Sequence, residues 1–89
     1  MLSSSIVISN KLGLHARASS KLVMCASQYQ SEITVSRDNK YANAKSIMSV
    51  MMLAAVCGNK VTITVNGSDE QVALDAIIKL FNDKFGEEQ

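Results

Sequence analysis

Apolar and polar positions switch between a period of two and a helical period several times along the chain. Ser5-Ile6-Val7-Ile8-Ser9 is rich in β-branched residues and predicts a first strand. Asn10 to Gly13 predicts a turn. Ala18, Leu22, Cys25, Ala26 and Tyr29 then recur at helical spacing and predict a helix over residues 16–29, with Ser19 bordering the stripe as a small residue able to hydrogen-bond the helix backbone. Ile33 and Val35 alternate with Thr34, which predicts a strand over residues 32–36. Asp38-Asn39 turns the chain into a short strand over 40–43. A helix is expected over 46–57, stopped by Gly58-Asn59. Val61-Thr62-Ile63-Thr64-Val65 alternates strictly, as a strand with one buried face does. After the Asn66-Gly67 turn, Ser68-Asp69-Glu70-Gln71 fits a capping box. The following helix is expected to run to Phe85, burying Leu74, Ile77, Ile78, Phe81 and Phe85, with Gly86 ending it. The order βαββαβα in one short chain predicts an α+β fold: a single domain over residues 1–89, with one antiparallel sheet and its helices on one face.

The second helix carries two apolar stripes. Val50, Leu53, Ala54 and Cys57 form one; Met48, Met51, Met52 and Ala55 form the other, on the opposite side. A helix lying on a sheet buries one stripe. The methionine stripe is therefore expected to be exposed as an adaptable docking surface, with Met24 and Leu14 extending it toward residue 15.

Composition narrows the classes. The chain has 89 residues, 47% of them hydrophobic and 19% charged, with a net charge of +1. That balance supplies no general field for nucleic acid. No apolar run is long enough to cross a bilayer, and Met1-Leu2-Ser3-Ser4-Ser5 lacks the pattern of a signal peptide, so a cytoplasmic protein without membrane insertion is expected. Cys25 and Cys57 do not form a C-x-x-C motif; both fall at apolar helix positions and are expected to be buried, reduced thiols. Lys11, Arg17, Lys21 and Lys45 lie in segments that could converge on one patch suited to an acidic partner, while Asp69, Glu70, Glu87 and Glu88 lie at the two ends of the last helix.

The candidate chemistry centres on His15, the single histidine. It stands where a strand gives way to a helix. A helix start offers unpaired N–H groups and a positive dipole end, which bind phosphate-like anions. Arg17 adds a permanent cation whose fork fits phosphate oxygens. The dipole disfavours a cationic ring, so the imidazole keeps a lone pair for attack on phosphorus, and the same groups would stabilise the attached phosphoryl charge. Gly13 permits the backbone geometry that presents the ring. A structural role for a lone histidine, as a cap or surface hydrogen-bonder, remains the plain alternative. No metal site is expected, since no second histidine or suitably spaced cysteine pair exists. Ser46 is expected first as an N-cap, at a position where a phosphate is also electrostatically tolerated.

Gly13-Leu14-His15-Ala16-Arg17 and Lys45-Ser46-Ile47-Met48, with the length and element order, resemble the HPr family. Its members are the small phosphocarriers of bacterial phosphoenolpyruvate-dependent phosphotransferase systems, which serve sugar transport. The resemblance covers essentially the whole chain. It implies an open-faced β-sandwich, a four-stranded antiparallel sheet in order 1-4-2-3 with three helices on one face. It implies that His15 accepts a phosphoryl group on Nδ1 from phosphorylated enzyme I and passes it to a IIA-type acceptor. Arg17 would be the charge-stabilising neighbour, and Ile47, Met48 and Met51 partner contacts. Ser46 matches the position phosphorylated by a serine kinase in some members, where modification weakens transfer. Leu14, Ser20, Met24 and Met52 are the further contact candidates. Ala18 departs from the family's usual proline and restores an N–H at the helix start. The expected protein is a monomeric, stoichiometric carrier with a phosphohistidine intermediate. It would need no cofactor and is no self-sufficient enzyme, although such proteins are sometimes grouped with transferases.

Three other readings compete. One is a regulatory paralogue of the nitrogen-related branch. The second is a non-catalytic interaction domain, which leaves His15 beside Arg17 unexplained. The third, a ferredoxin-like RNA-binding module, should carry strand aromatics, and the predicted strands hold only Tyr41.

Overall fold

The computed structural model describes residues 1–87; Glu88, among the acidic residues noted above, lies outside them. Its elements are β1 (Leu2–Val7), α1 (Ala16–Ala26), β2 (Glu32–Arg37), β3 (Lys40–Asn43), α2 (Ile47–Met52), β4 (Lys60–Asn66) and α3 (Glu70–Asn82), followed by a 3₁₀ turn at Lys84–Gly86. The strands form one antiparallel sheet in the order β1-β4-β2-β3. Alternation sets its two faces. Val61, Ile63 and Val65 of β4, Ile33 and Val35 of β2 and Ala42 of β3 are buried beneath the helices. On the other face hydroxyl side chains sit side by side, Ser3 opposite Thr64 and Ser5 opposite Thr62. Helix α1 packs between α2 and α3, while α3 lies on β1 and β4 and α2 lies against β3. Ala18, Leu22 and Ala26 of α1 and Ala73, Leu74, Ile77 and Phe81 of α3 complete the core, where each large side chain contributes about 1.5–3 kcal/mol. The result is the expected open-faced sandwich. No helix among the described residues is long and apolar enough to cross a membrane.

Several expectations change. The first strand begins at Leu2 and ends at Val7, and buried Ile8 follows it. Helix α1 stops at Ala26, leaving Cys25 and Tyr29 only partly buried. Helix α2 is half its expected length. Ser46 caps it, accepting from the Ser49 N–H at 3.3 Å, but it ends at Leu53 because Ala54 turns left-handed at φ +51°. Arg37 seals that end, donating Nε and Nη2 to the Leu53 carbonyl at 3.1 and 2.9 Å. The premature stop reassigns both stripes. Val50 and Leu53 are buried as expected, but Ala54 and Cys57 are exposed and Ala55 is buried. Cys57 is thus an exposed free thiol rather than a buried one; Cys25 is also free, and burial pushes its thiol pKa up.

The predicted capping box also fails to form. Asp69 is the N-cap of α3, but its carboxylate faces away from the helix and accepts from the Gln30 N–H and from the N–H and hydroxyl of Ser31. Glu70 takes the reaching-back role, accepting from the Gly67 N–H at 3.2 Å. At the far end the helix stops at Asn82, and Lys84, Phe85 and Gly86 are consecutively left-handed. Phe85 is still buried, its ring edge-on to Phe81 at 4.8 Å.

Candidate functional site

The segment entering α1 is fixed before it reaches His15. Gly13 is left-handed, at φ +64°, and passes so close to the Ala55–Val56 backbone that a Cβ would sit 2.6 Å from the Ala55 carbonyl oxygen. Leu14 donates its N–H to that same oxygen at 2.9 Å. Its side chain is buried at 4% exposure, so Leu14 anchors the site from within the core and is not the surface contact expected of it. Buried Ser19 donates its hydroxyl to the Leu14 carbonyl at 3.0 Å, tying the helix to the residue before the histidine.

His15 is the N-cap of α1. Its carbonyl accepts from the Ser19 N–H, but its imidazole makes no capping bond, so the ring is not used to stabilise the helix. By helix geometry the N–H groups of Ala16, Arg17 and Ala18 have no intrahelical acceptor and supply the positive end beside the ring. Arg17 is exposed on this first turn.

The contact that sequence spacing did not suggest is Glu87. Its Oε2 lies 2.5 Å from His15 Nε2, across 72 positions of sequence. Its Oε1 accepts from Asn10 Nδ2 at 2.9 Å, and the same amide nitrogen donates to the Gly13 carbonyl at 2.8 Å. Lys21 Nζ donates to the Phe85 carbonyl at 2.5 Å and so holds the left-handed turn that brings Glu87 back. The Glu87 carboxyl is held below its ordinary value chiefly by the Asn10 amide, opposed by desolvation, with the His15 ring and then the charge of Lys21 adding to the lowering. An ionised carboxylate is acceptor-only, so the proton of this contact belongs to Nε2, and in the neutral ring the nitrogen with the lone pair is then Nδ1.

The basic residues do not all converge. Lys21 approaches the site through Phe85 and Glu87, but Lys45 donates to the Tyr29 carbonyl, beyond the opposite end of α1. The helix between is roughly 16 Å long at 1.5 Å per residue, which removes Lys45 from the patch.

The docking candidates are largely exposed as expected. Met24 of α1 is 66% exposed; Ile47, Met48, Met51 and Met52 of α2 are exposed on the helix packed beside it, and Ser20 is half-buried. Leu12 and Val56 are exposed as well, and no periodic pattern marked them because both lie in turns. Among the described residues no group of three or more histidine, cysteine or acidic side chains is placed to hold a metal.

Comparison with known proteins bears on this arrangement. The family profile described as "PTS HPr component phosphorylation site" matches residues 2–83. The phosphocarrier protein HPr of Cupriavidus necator is 51% identical over 98% of both chains. The phosphocarrier protein NPr of Shewanella violacea is 44% identical over 92% of this chain and 90% of its own. Among solved structures, HPr-C-His from Thermoanaerobacter tengcongensis superposes with a TM-score of 0.96 at 46% identity, covering all of both chains. Fold and sequence together place the chain among the small phosphocarrier proteins. Within that class it belongs to the HPr family of the phosphotransferase system.

Proposed function

We propose that His15 is the phosphoryl-carrying residue, accepting the group on Nδ1 from phosphorylated enzyme I and delivering it to a IIA-type acceptor. The observation that carries this is the imidazole at the α1 N-cap: it does not cap the helix, and Nε2 is already engaged by Glu87. The unbonded N–H groups of the first turn and the Arg17 guanidinium would receive the charge of the phosphoryl oxygens. Catalysis here is positioning plus charge stabilisation shared with each partner's site, so the chain acts as a stoichiometric carrier and not as an enzyme alone.

The exposed methionines of α1 and α2 would dock both partners. Methionine suits a surface that must fit two different proteins, because its unbranched, polarisable side chain repacks readily. Ser46 begins the helix bearing that surface. A serine kinase acting there would put about two negative charges beside Ile47 and Met48, which weakens docking on that apolar face. The carrier is proposed to work as a cytoplasmic monomer.

The test is a relay. Phosphoenolpyruvate bearing a labelled phosphoryl group, enzyme I and a sugar-branch IIA protein are mixed with and without the chain. Label should reach the acceptor only when the chain is present, and His15→Ala should abolish it. Transfer only to an acceptor of the nitrogen-related branch would reassign the chain to that branch. Transfer through His15→Ala would overturn the assignment of the carrier residue.

A further inference from the structure

We propose that Glu87, clamped by Asn10, is a positioning residue that holds His15 with its proton on Nε2 and its lone pair on Nδ1, and that balances the positive charge the ring takes on when Nδ1 bonds phosphorus. The inference rests on His15 being the phosphoryl carrier. It concerns a residue beyond the segment matched by the family profile, which ends at residue 83.

Three features show that the contact is built. Asn10 is buried, at 1% exposure, and its amide nitrogen faces two acceptors at once, the Gly13 carbonyl and Glu87 Oε1. Both partners accept, so the amide must present nitrogen to them; its Oδ1 is left buried and without a hydrogen-bond partner among the described residues. A buried amide that leaves its oxygen unpaired to serve two acceptors is arranged for those acceptors. Next, the backbone that delivers Glu87 runs through left-handed Lys84 and Phe85, a conformation that side chains other than glycine adopt at a cost. Two independent contacts hold it there: Lys21 on the Phe85 carbonyl and the Phe85 ring against Phe81. Finally, the 2.5 Å contact is made at the nitrogen opposite the one proposed to react.

The chemistry follows from where the proton stays. The Nδ1 lone pair forms the new N–P bond while the phosphorus–nitrogen bond of the donor, a protein phosphoramidate, breaks and its electron pair returns to the donor nitrogen. No proton leaves His15. Nε2 keeps its hydrogen, so the phosphorylated ring is an imidazolium, and the Glu87 carboxylate lies beside the positive charge. Onward transfer reverses the account: the acceptor's nucleophile takes the phosphorus, the bonding pair returns to Nδ1, and the ring is neutral again. A carboxylate at Nε2 therefore does two things. It selects the reactive tautomer before transfer and stabilises the charged ring after it, as an acidic residue does for a catalytic imidazole elsewhere.

The test uses the full chain with ¹⁵N-labelled histidine, as native protein, Glu87→Ala and Glu87→Gln. Ring-nitrogen correlations at a pH where the ring is neutral report the tautomer. Stopped-time phosphoryl uptake from phosphorylated enzyme I reports the rate, and unchanged sheet amide signals show that the fold is kept. The native ring should be a single tautomer protonated on Nε2. Glu87→Ala should move both ring nitrogens toward a tautomer mixture and slow uptake about tenfold, the low end of the cost when a metal-ligating imidazole loses its carboxylate partner. Glu87→Gln keeps an oxygen acceptor without the charge, so it should restore the tautomer and only part of the rate. A Glu87→Ala protein with native tautomer, or with native uptake, would overturn the proposal. Should the native chain take no phosphoryl group at all, the carrier reading falls, and the tautomer comparison alone then decides the Glu87 contact.

Discussion

Replacing Gly13 with alanine should separate the two demands the site makes on that residue. The first is conformational. At φ +64° an alanine pays about 1–2 kcal/mol for the left-handed geometry, less about 0.4–1 kcal/mol recovered from a stiffer unfolded chain. The second is contact. The new Cβ would lie 2.6 Å from the Ala55 carbonyl oxygen and 2.7 Å from Val56 Cα, both backbone atoms that cannot swing aside. Overpacking of this kind adds about 1–3 kcal/mol. The total is roughly 2–4 kcal/mol, which in a domain of this size lowers Tm by roughly 10–25 °C. Gly58→Ala is the control. Gly58 is also left-handed, at φ +92°, but nothing lies within 4 Å of its added Cβ, so it should lose only the conformational part, about 1 kcal/mol. Thermal melts followed by circular dichroism compare the two. The Ala55 carbonyl also fixes Leu14, the residue before His15, so Gly13→Ala should slow phosphoryl uptake at a temperature where both variants are folded, and Gly58→Ala should not. Equal melting temperatures for the two variants would refute the close-packing account of how His15 is placed.

Other perturbations test separate parts of the structure. Ala54→Gly should raise stability by about 0.5–1 kcal/mol, seen as a Tm gain of a few degrees, because it removes a left-handed alanine from an exposed position. The Asp69 carboxyl is held below its ordinary 3.8 by the Ser31 hydroxyl and the Gln30 N–H. Being lowered in the folded state, it contributes stability above that ordinary value and loses it as pH falls through the folded one. Acid melts of native protein should therefore fall away more steeply below about pH 4 than those of Asp69→Asn. Met48→Asp should raise the KM for the chain as enzyme I substrate by about tenfold with kcat nearly unchanged, while its melting temperature shifts little, since Met48 is 68% exposed.

The elements that were legible in the sequence are those whose inward side chains differ in kind from their neighbours. Strand β4 is explicit because Val61, Ile63 and Val65 alternate with threonines. Strand β1 is less so: Ser4 faces the same side as Leu2 and Ile6, and flanking serines hide the alternation, so the β-branched run downstream drew the prediction too far along. The second helix was over-extended because its stop is a left-handed alanine, which no local residue preference announces, and because the Arg37 that seals it comes from β2. The same blindness applies to Lys84 and Phe85, where helical periodicity continues through a chain that has already turned. At the site, His15, Arg17 and Gly13 were visible as a local motif. Asn10 and Glu87 were not, because their relation to the histidine exists only once α3 and its terminal turn have packed against α1.

The central claim, that His15 carries the phosphoryl group, is tested most directly by intact-protein mass spectrometry after incubation with phosphoenolpyruvate and enzyme I. The native chain should gain one acid-labile phosphoryl group, and His15→Ala should gain none. No adduct on the native chain beside an enzyme I of demonstrated activity from the same organism, or an adduct that survives His15→Ala, would contradict it.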